Sequence, residues 1–268
     1  MKKLSASVYI IGAGPGNPDL LTVRAQNILM NSDVILFADS LVPQEILQIC
    51  KPNAEIIRTA NKTLETIIPI MIEGVRSKKS VARLHSGDPS LYSAIHEQIK
   101  LLRKADVPFE IVPGISAFQA AAARLKVELT IPGLVQTIIL TRASGRTEVP
   151  GKEELSSLAS HQASLCLYLA AHHVENAQIK LLEHYASDTP VAILYRLGWN
   201  DEKIKVVSLD EIANCTYQEN FTRTILYIIS PALRGFVGEN SKQFPGDTSQ
   251  HRSQLYHPEH THLFRPGE

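Results

Sequence analysis

Two short stretches concentrate residues able to hold a small ligand: Gly12-Ala13-Gly14-Pro15-Gly16 and His85-Ser86-Gly87-Asp88-Pro89. Glycine lets the backbone take positive φ and come close to a ligand. The first loop follows an apolar run, and Asp39 lies about 20 residues beyond it, where a dinucleotide fold places its ribose-binding acid. Two details oppose that reading. Asn17 occupies the place of the third fingerprint glycine, and the next helix takes Thr22 as its N-cap, so a pyrophosphate on the loop would sit away from the helix N-terminus meant to hold it. In the second loop Gly87 bares its amides, and Asp88 accepts hydrogen bonds from a hydroxyl or amine, which suits a nucleoside better than a phosphate. Asp and Gly before Pro are also ordinary turn punctuation.

The remaining candidates are more scattered. Asp39 is either a cap or an acid–base group. Arg58, Arg83, Arg142, Arg146, Arg196 and Arg223 fall at strand ends or in loops in this reading. Singly such arginines face solvent; lining one cleft, their guanidinium forks would match carboxylates. His172-His173 open a helix. His251, His257, His260 and His262 sit in a polar C-terminal stretch where imidazoles chelate readily, but no carboxylate or cysteine framework accompanies them, so no metal site is expected.

The elements that must position these residues alternate. Strands are expected at Val8–Ile11, Val34–Phe37, Glu55–Arg58, Val81–Leu84 and Phe109–Val112, with helices over 22–31, 43–50, 63–78 and 90–104. This βαβ alternation produces a mostly parallel, helix-covered sheet. Pro69 should kink or shorten its helix. Open α/β sheets bind ligands at the carboxyl ends of their strands, which is where both loops, Asp39 and Pro113-Gly114-Ile115-Ser116-Ala117 fall. An alanine-rich helix over 118–125 joins this half to a second one. There the strands are Gln136–Thr141, Ser164–Leu169, Val191–Tyr195, Ile204–Ser208 and Thr224–Ser230, with helices near 152–160, 173–185 and 209–216, and the pair 191–195 and 204–208 is close enough to run antiparallel. The fold class is α/β with two α/β domains, 1–115 and 116–235, and a polar tail over 236–268.

Composition removes several function classes. Lysine plus arginine and aspartate plus glutamate both number 27 in 268 residues, so no global field favours nucleic acid or an anionic membrane. Cys50, Cys166 and Cys215 are widely spaced, which suggests reduced thiols and no disulfide framework. No long apolar run or signal-peptide pattern is present. The expectation is a cytoplasmic protein with neither a nucleic-acid nor a membrane partner.

Taken together, the motifs resemble the tetrapyrrole (corrin/porphyrin) methylase family. The resemblance rests on Gly12–Gly16 with Asp19-Leu20-Leu21-Thr22, on Ala38-Asp39-Ser40-Leu41-Val42, on Gly87-Asp88-Pro89 and on Val112-Pro113-Gly114. Within the family, Leu129-Thr130-Ile131-Pro132, Gln136-Thr137, Leu140-Thr141-Arg142, Gly145-Arg146-Thr147 and Val149-Pro150 resemble the branch that methylates C-11 of precorrin-4 or cobalt-precorrin-4 in cobalamin biosynthesis. So does the ending, Leu255-Tyr256 with His260 to Pro266. The resemblance implies a homodimeric C-methyltransferase with S-adenosyl-L-methionine as methyl donor, held between two α/β domains unlike a conventional Rossmann methyltransferase. It places cofactor contacts at Pro15, Ser86, Gly87, Asp88, Leu91, Ser116, Ala117, Leu169 and Gly198. It puts a candidate catalytic acid at Asp39. The related uroporphyrinogen methylases carry a lysine proton donor after the third strand, where this chain has Thr59-Ala60-Asn61. The acetate and propionate arms of a tetrapyrrole substrate call for cations, assigned to Arg58, His85, Arg142 and Arg146. Competing readings are another methylase of the same fold, a dinucleotide-dependent oxidoreductase, and a non-catalytic tetrapyrrole carrier.

Overall fold

Strand alternation explains the first half of the chain. Along β1 (Val8–Gly12), Val8 and Ile10 pack into one apolar cluster while Tyr9 and Ile11 pack into another, so the strand is covered on both faces. A computed structural model describes residues 4–145 and 148–234, with Ser253 and Thr261. β1 lies in a five-stranded, wholly parallel sheet with β2 (Val34–Phe37), β3 (Glu55–Arg58), β4 (Val81–His85) and β5 (Phe109–Val112), in the order β3-β2-β4-β1-β5. Helix α1 (Val23–Leu29) buries Ala25, Ile28 and Leu29 against the Tyr9, Ile11, Ile35 and Phe37 face. Helices α2 (Leu64–Arg76) and α3 (Ile95–Lys104) cover the Val8, Ile10, Leu36 and Val81 face with Ile67, Ile68, Met71 and Leu102. The expected strands all form.

The helices differ from expectation in three places. Pro69 lies inside α2 without ending it; it sits on the exposed side, away from the packed Ile67, Ile68 and Met71 face, and the helix runs on to Arg76. Residues Gln44–Ile49 form a 3₁₀ helix, not an α-helix. α3 starts at Ile95, and the expected start near residue 90 is replaced by a turn with left-handed φ at Tyr92 (51°) and Ala94 (49°). An Asx turn begins that departure: Asp88 Oδ1 accepts from the Ser90 amide at 2.8 Å, which competes with helix formation.

The chain divides into two compact units, Met1–Ala120 with Arg196–Asp201, and Ala121–Tyr195 with Glu202–Glu268. Residues 116–120 and 196–201, read from sequence as part of the second domain, thus cluster with the first. The second unit holds β6 (Ile138–Arg142), β7 (Ser164–Tyr168), β8 (Pro190–Tyr195), β9 (Lys203–Ser208) and β10 (Ile225–Ile229) in the order β6-β7-β10-β8-β9. β6 and β7 are parallel, and the other pairings, including the expected β8 with β9, are antiparallel. Helices α5 (Leu155–Ala159), α6 (Val174–Leu182) and α7 (Ile212–Gln218), which follow α4 (Ala117–Leu125), pack Leu155, Val174, Leu181 and Ile212 onto this sheet. All but two residues of the polar tail, with its four histidines, lie outside the described residues.

Candidate functional site

Backbone, not side chains, closes the carboxyl edge of the first sheet. After β1, Gly14 and Gly87 form a reciprocal bridge, Gly14 N donating to Gly87 O at 3.2 Å and Gly87 N to Gly14 O at 2.8 Å. A side chain at Gly12 would run within 2.6 Å of the Gly114 backbone, so the loops after β1, β4 and β5 touch main chain to main chain. Asp88 locks the arrangement: its Oδ2 accepts from Gly114 N at 2.8 Å, and its Oδ1 accepts from the amide and hydroxyl of Ser90. Burial pushes the Asp88 carboxyl upward, but these hydrogen bonds outweigh it and leave it below the usual range. Asp88 therefore engages both oxygens with the protein's own loops.

The first loop is built for something other than a pyrophosphate. Asn17 Oδ1 accepts from Asp19 N at 2.9 Å and starts a 3₁₀ turn over Pro18–Leu20. Thr22 Oγ1 accepts from Ala25 N at 3.1 Å, so α1 begins at Val23, as expected from the cap. Gly16 faces the 196–201 segment, where Gly198 takes φ 78° and a Cβ on it would meet Asn17 N at 2.7 Å. That segment is held by Asn200 on Glu45 (2.8 Å), by Arg196 on Asp201 (2.8 Å) and by the Arg196 guanidinium 4.1 Å over the Trp199 ring. Trp199 was missed by sequence reasoning; as the one tryptophan in the chain, it was a signal available to find it.

The expected cofactor residues fall into two groups. Pro15, Ser86, Gly87, Asp88, Leu91, Ser116, Ala117 and Gly198 belong to the first unit, Pro15 and Ser116 buried, Gly87 at φ 66°, and Ser116-Ala117 at the start of α4. Leu169 belongs to the second unit, following β7, with φ 54° and 65% exposure. A bulky apolar residue both strained and exposed is unusual, and such outliers gather at ligand sites. Arg142 ends β6 in register with Tyr168, so it shares a sheet edge with Leu169.

Polar groups without partners gather at the carboxyl edge. Among the described residues, five buried side-chain atoms lack a hydrogen-bond partner: Asp39 Oδ1, Arg83 Nε, His85 Nε2, Gln98 Oε1 and Trp199 Nε1. All but Gln98 lie on β4, just after β2, or in the segment seated on Gly16. Folded proteins pair more than about nine in ten buried polar groups, so this concentration sets the carboxyl edge apart as the candidate site.

The four candidate cations for carboxylates fare unequally. Arg58 ends the outer strand β3 and is exposed. Arg142 donates from Nη1 to Ala143 O and from Nη2 to Glu148 O, both at 3.2 Å, and so holds its own loop. Arg146 lies outside the described residues. His85 is 8% exposed, and burial, helped by the charge of Arg83, pushes its pKa down from 6.5 to about 3. It is neutral near pH 7 and is not a cation for a carboxylate. Arg83, expected at a strand end or in a loop, lies inside β4 and is 7% exposed. Cys166 is buried, and its thiol is pushed up to about 12 by desolvation, which makes it inert.

A parallel sheet whose loops meet main chain to main chain at its carboxyl edge, followed by a mixed sheet, defines a two-unit α/β protein with a glycine loop of non-dinucleotide type. The chain belongs to the Tetrapyrrole (Corrin/Porphyrin) Methylases, whose family model matches residues 7–213. It is 43% identical to the precorrin-4 C(11)-methyltransferase of Pseudomonas aeruginosa over 98% of this chain and 100% of that protein. Among solved structures it resembles a cobalt precorrin-4 methyltransferase at TM-score 0.82 and 41% identity, covering 85% of this chain and 96% of the other. It also shares the fold of a uroporphyrin-III C-methyltransferase from Thermus thermophilus complexed with S-adenyl homocysteine, at TM-score 0.73 and 24% identity, covering 86% of this chain and 100% of that one.

Proposed function

We propose that this protein transfers a methyl group from S-adenosyl-L-methionine to C-11 of precorrin-4 or cobalt-precorrin-4 in cobalamin biosynthesis. The observation that carries this reading is the 43% identity to a precorrin-4 C(11)-methyltransferase across both chains. The methyl donor fits the first-unit edge: bare backbone at Gly87, a helix start at Ser116-Ala117 and orphaned polar atoms suit a nucleoside with an amino-acid arm. When bound, S-adenosylmethionine supplies an electrophilic sulfonium methyl. An electron-rich ring carbon takes that methyl directly; the new C–C bond forms as the S–CH₃ bond breaks, and the ring regains neutrality by releasing a proton.

The protein's part is alignment and exclusion of water, and positioning of two reactants is worth up to about 7–11 kcal/mol. Asp39, with Oδ1 buried and unpartnered after β2, is the proposed proton acceptor. Ser86, Gly87, Leu91, Ser116, Ala117, Pro15, Gly198 and Leu169 are the proposed cofactor contacts, with Asp88 supporting them from within. Arg58, Arg142 and Arg146 remain proposed partners of the carboxylate arms, and His85 contributes a neutral ring. A homodimer in the cytoplasm is the proposed form; no described helix is long and apolar enough to cross a membrane. The deciding experiment incubates purified protein with methyl-labelled S-adenosylmethionine and precorrin-4, with and without cobalt, and locates the label by NMR. Label at C-11 is expected; label at another carbon, or none, refutes the reading.

A further inference from the structure

Arg83 is the least explained charge in the first unit. In β4 it pairs in register with Ile10 on β1 and Leu36 on β2, so its side chain leaves the sheet on the face covered by α2 and α3. From there Nη1 donates to Thr59 Oγ1 at 2.7 Å. Thr59 follows β3, two strands away across β2, a separation of about 10 Å at the usual strand spacing. The guanidinium is therefore drawn along the sheet toward the carboxyl ends of β2 and β3, not out into solvent. Its Nε is buried with no partner, and among the described residues no ion pair includes Arg83. Desolvation lowers its pKa only to about 10, so it stays charged. His85, two residues on and on the same face, adds a buried ring with Nε2 unpartnered.

A buried cation without a counter-ion is strongly disfavoured unless a ligand supplies the missing charge. The fork of Arg83 matches a carboxylate, and neutral His85 adds a hydrogen-bonding ring without a second charge. We propose that Arg83, with Thr59 and His85 beside it, receives one carboxylate arm of the tetrapyrrole. This rests on the tetrapyrrole reading above and names a specificity-determining residue that none of the four sequence-derived cations supplied. Arg58 does not compete for the same arm, because it pairs in register with Phe37 and leaves the sheet on the opposite face.

The test titrates uroporphyrin, and separately its fully amidated derivative, into the parent chain and the Arg83→Met variant. Binding of S-adenosylhomocysteine and the melting temperature are followed alongside. Methionine keeps an unbranched apolar stem and removes charge and fork. The expected result is a loss of at least about tenfold in uroporphyrin affinity, with S-adenosylhomocysteine affinity within about twofold of the parent and the amide bound equally by both chains. Uroporphyrin binding within about twofold of the parent overturns the proposal, as does a parent chain that does not bind uroporphyrin. If Arg83→Met does not fold, the ¹⁵N guanidinium resonance of Arg83 in the unaltered chain decides. It should move with uroporphyrin and not with the amide, and an unmoved resonance overturns the assignment. Arg83-dependent uroporphyrin binding without methyl transfer to either precorrin-4 form would refute the reaction while leaving the receptor intact.

Discussion

Asp39 and His85 stand on neighbouring strands' ends with buried, unpartnered atoms, yet they call for opposite experiments. Asp39 is the proposed proton acceptor, so Asp39→Asn should lower kcat by about a hundredfold while S-adenosylhomocysteine binds as before. Unaltered turnover in that variant would remove Asp39 from the chemistry. His85 is held neutral, with a pKa of about 3 against 6.5 when solvated. Between these values the unfolded chain binds a proton that the native chain refuses, so stability should fall as pH drops below about 6.5 and level off below about 3. His85→Gln should flatten that decline in urea melts between pH 7 and pH 4.5. An acid decline as steep as the parent's would mean that the native imidazole takes up its proton readily.

At the scale of elements, both edges of the parallel sheet are pinned by a carboxylate, for different ends. At the amino edge Asp33 Oδ2 accepts from the Ser80 amide and hydroxyl, both at 2.8 Å, and Lys51 lies 2.5 Å from Oδ1. Desolvation raises the Asp33 pKa, but Lys51 and Ser80 outweigh it and bring it to about 2 from 3.8. A depressed carboxylate stabilises above its unfolded pKa and loses that contribution as pH falls from about 4 toward 2. Asp33→Asn should therefore destabilise at pH 7 and converge with the parent near pH 2, with partial exposure of the pair moderating the difference. At the carboxyl edge, Gly114 tolerates no side chain: a Cβ would run into the Gly87 carbonyl oxygen and lie 2.8 Å from Gly12 Cα, all backbone. Gly114→Ala should cost about 3 kcal/mol, roughly 6–12 °C in Tm, and weaken S-adenosylhomocysteine binding with it. A Tm within about 2 °C of the parent would show that the three loops move apart easily.

For the whole molecule, the discriminating ligand is the cofactor. With α1 starting at Val23 and the loop at Gly16 packed on the 196–201 segment, a diphosphate finds no helix N-terminus at the loop. Saturating S-adenosylhomocysteine should raise Tm by several degrees, while nicotinamide dinucleotides should leave it unchanged. The reverse result would restore the oxidoreductase reading.

The strand positions, the Thr22 cap, the parallel-then-mixed sheets and the motif loops were legible from sequence because each depends on short-range pattern: alternation, turn residues and capping. What sequence could not supply was the environment of each polar group. Asp88 reads only as a ligand acceptor until it is also seen to tie Gly114 and Ser90 together. Arg142 reads as a free strand-end cation until two of its donors are seen to hold its own loop. His85 reads as a cation until burial and Arg83 remove its charge. Arg83 itself was placed at a strand end or in a loop, since nothing in the local pattern says that its side chain crosses β2 to Thr59. Sequence by itself determined the family and the elements; the tertiary structure decided which side chains are charged, engaged or unpaired, because desolvation and long-range hydrogen bonds arise only once strands distant in sequence lie side by side.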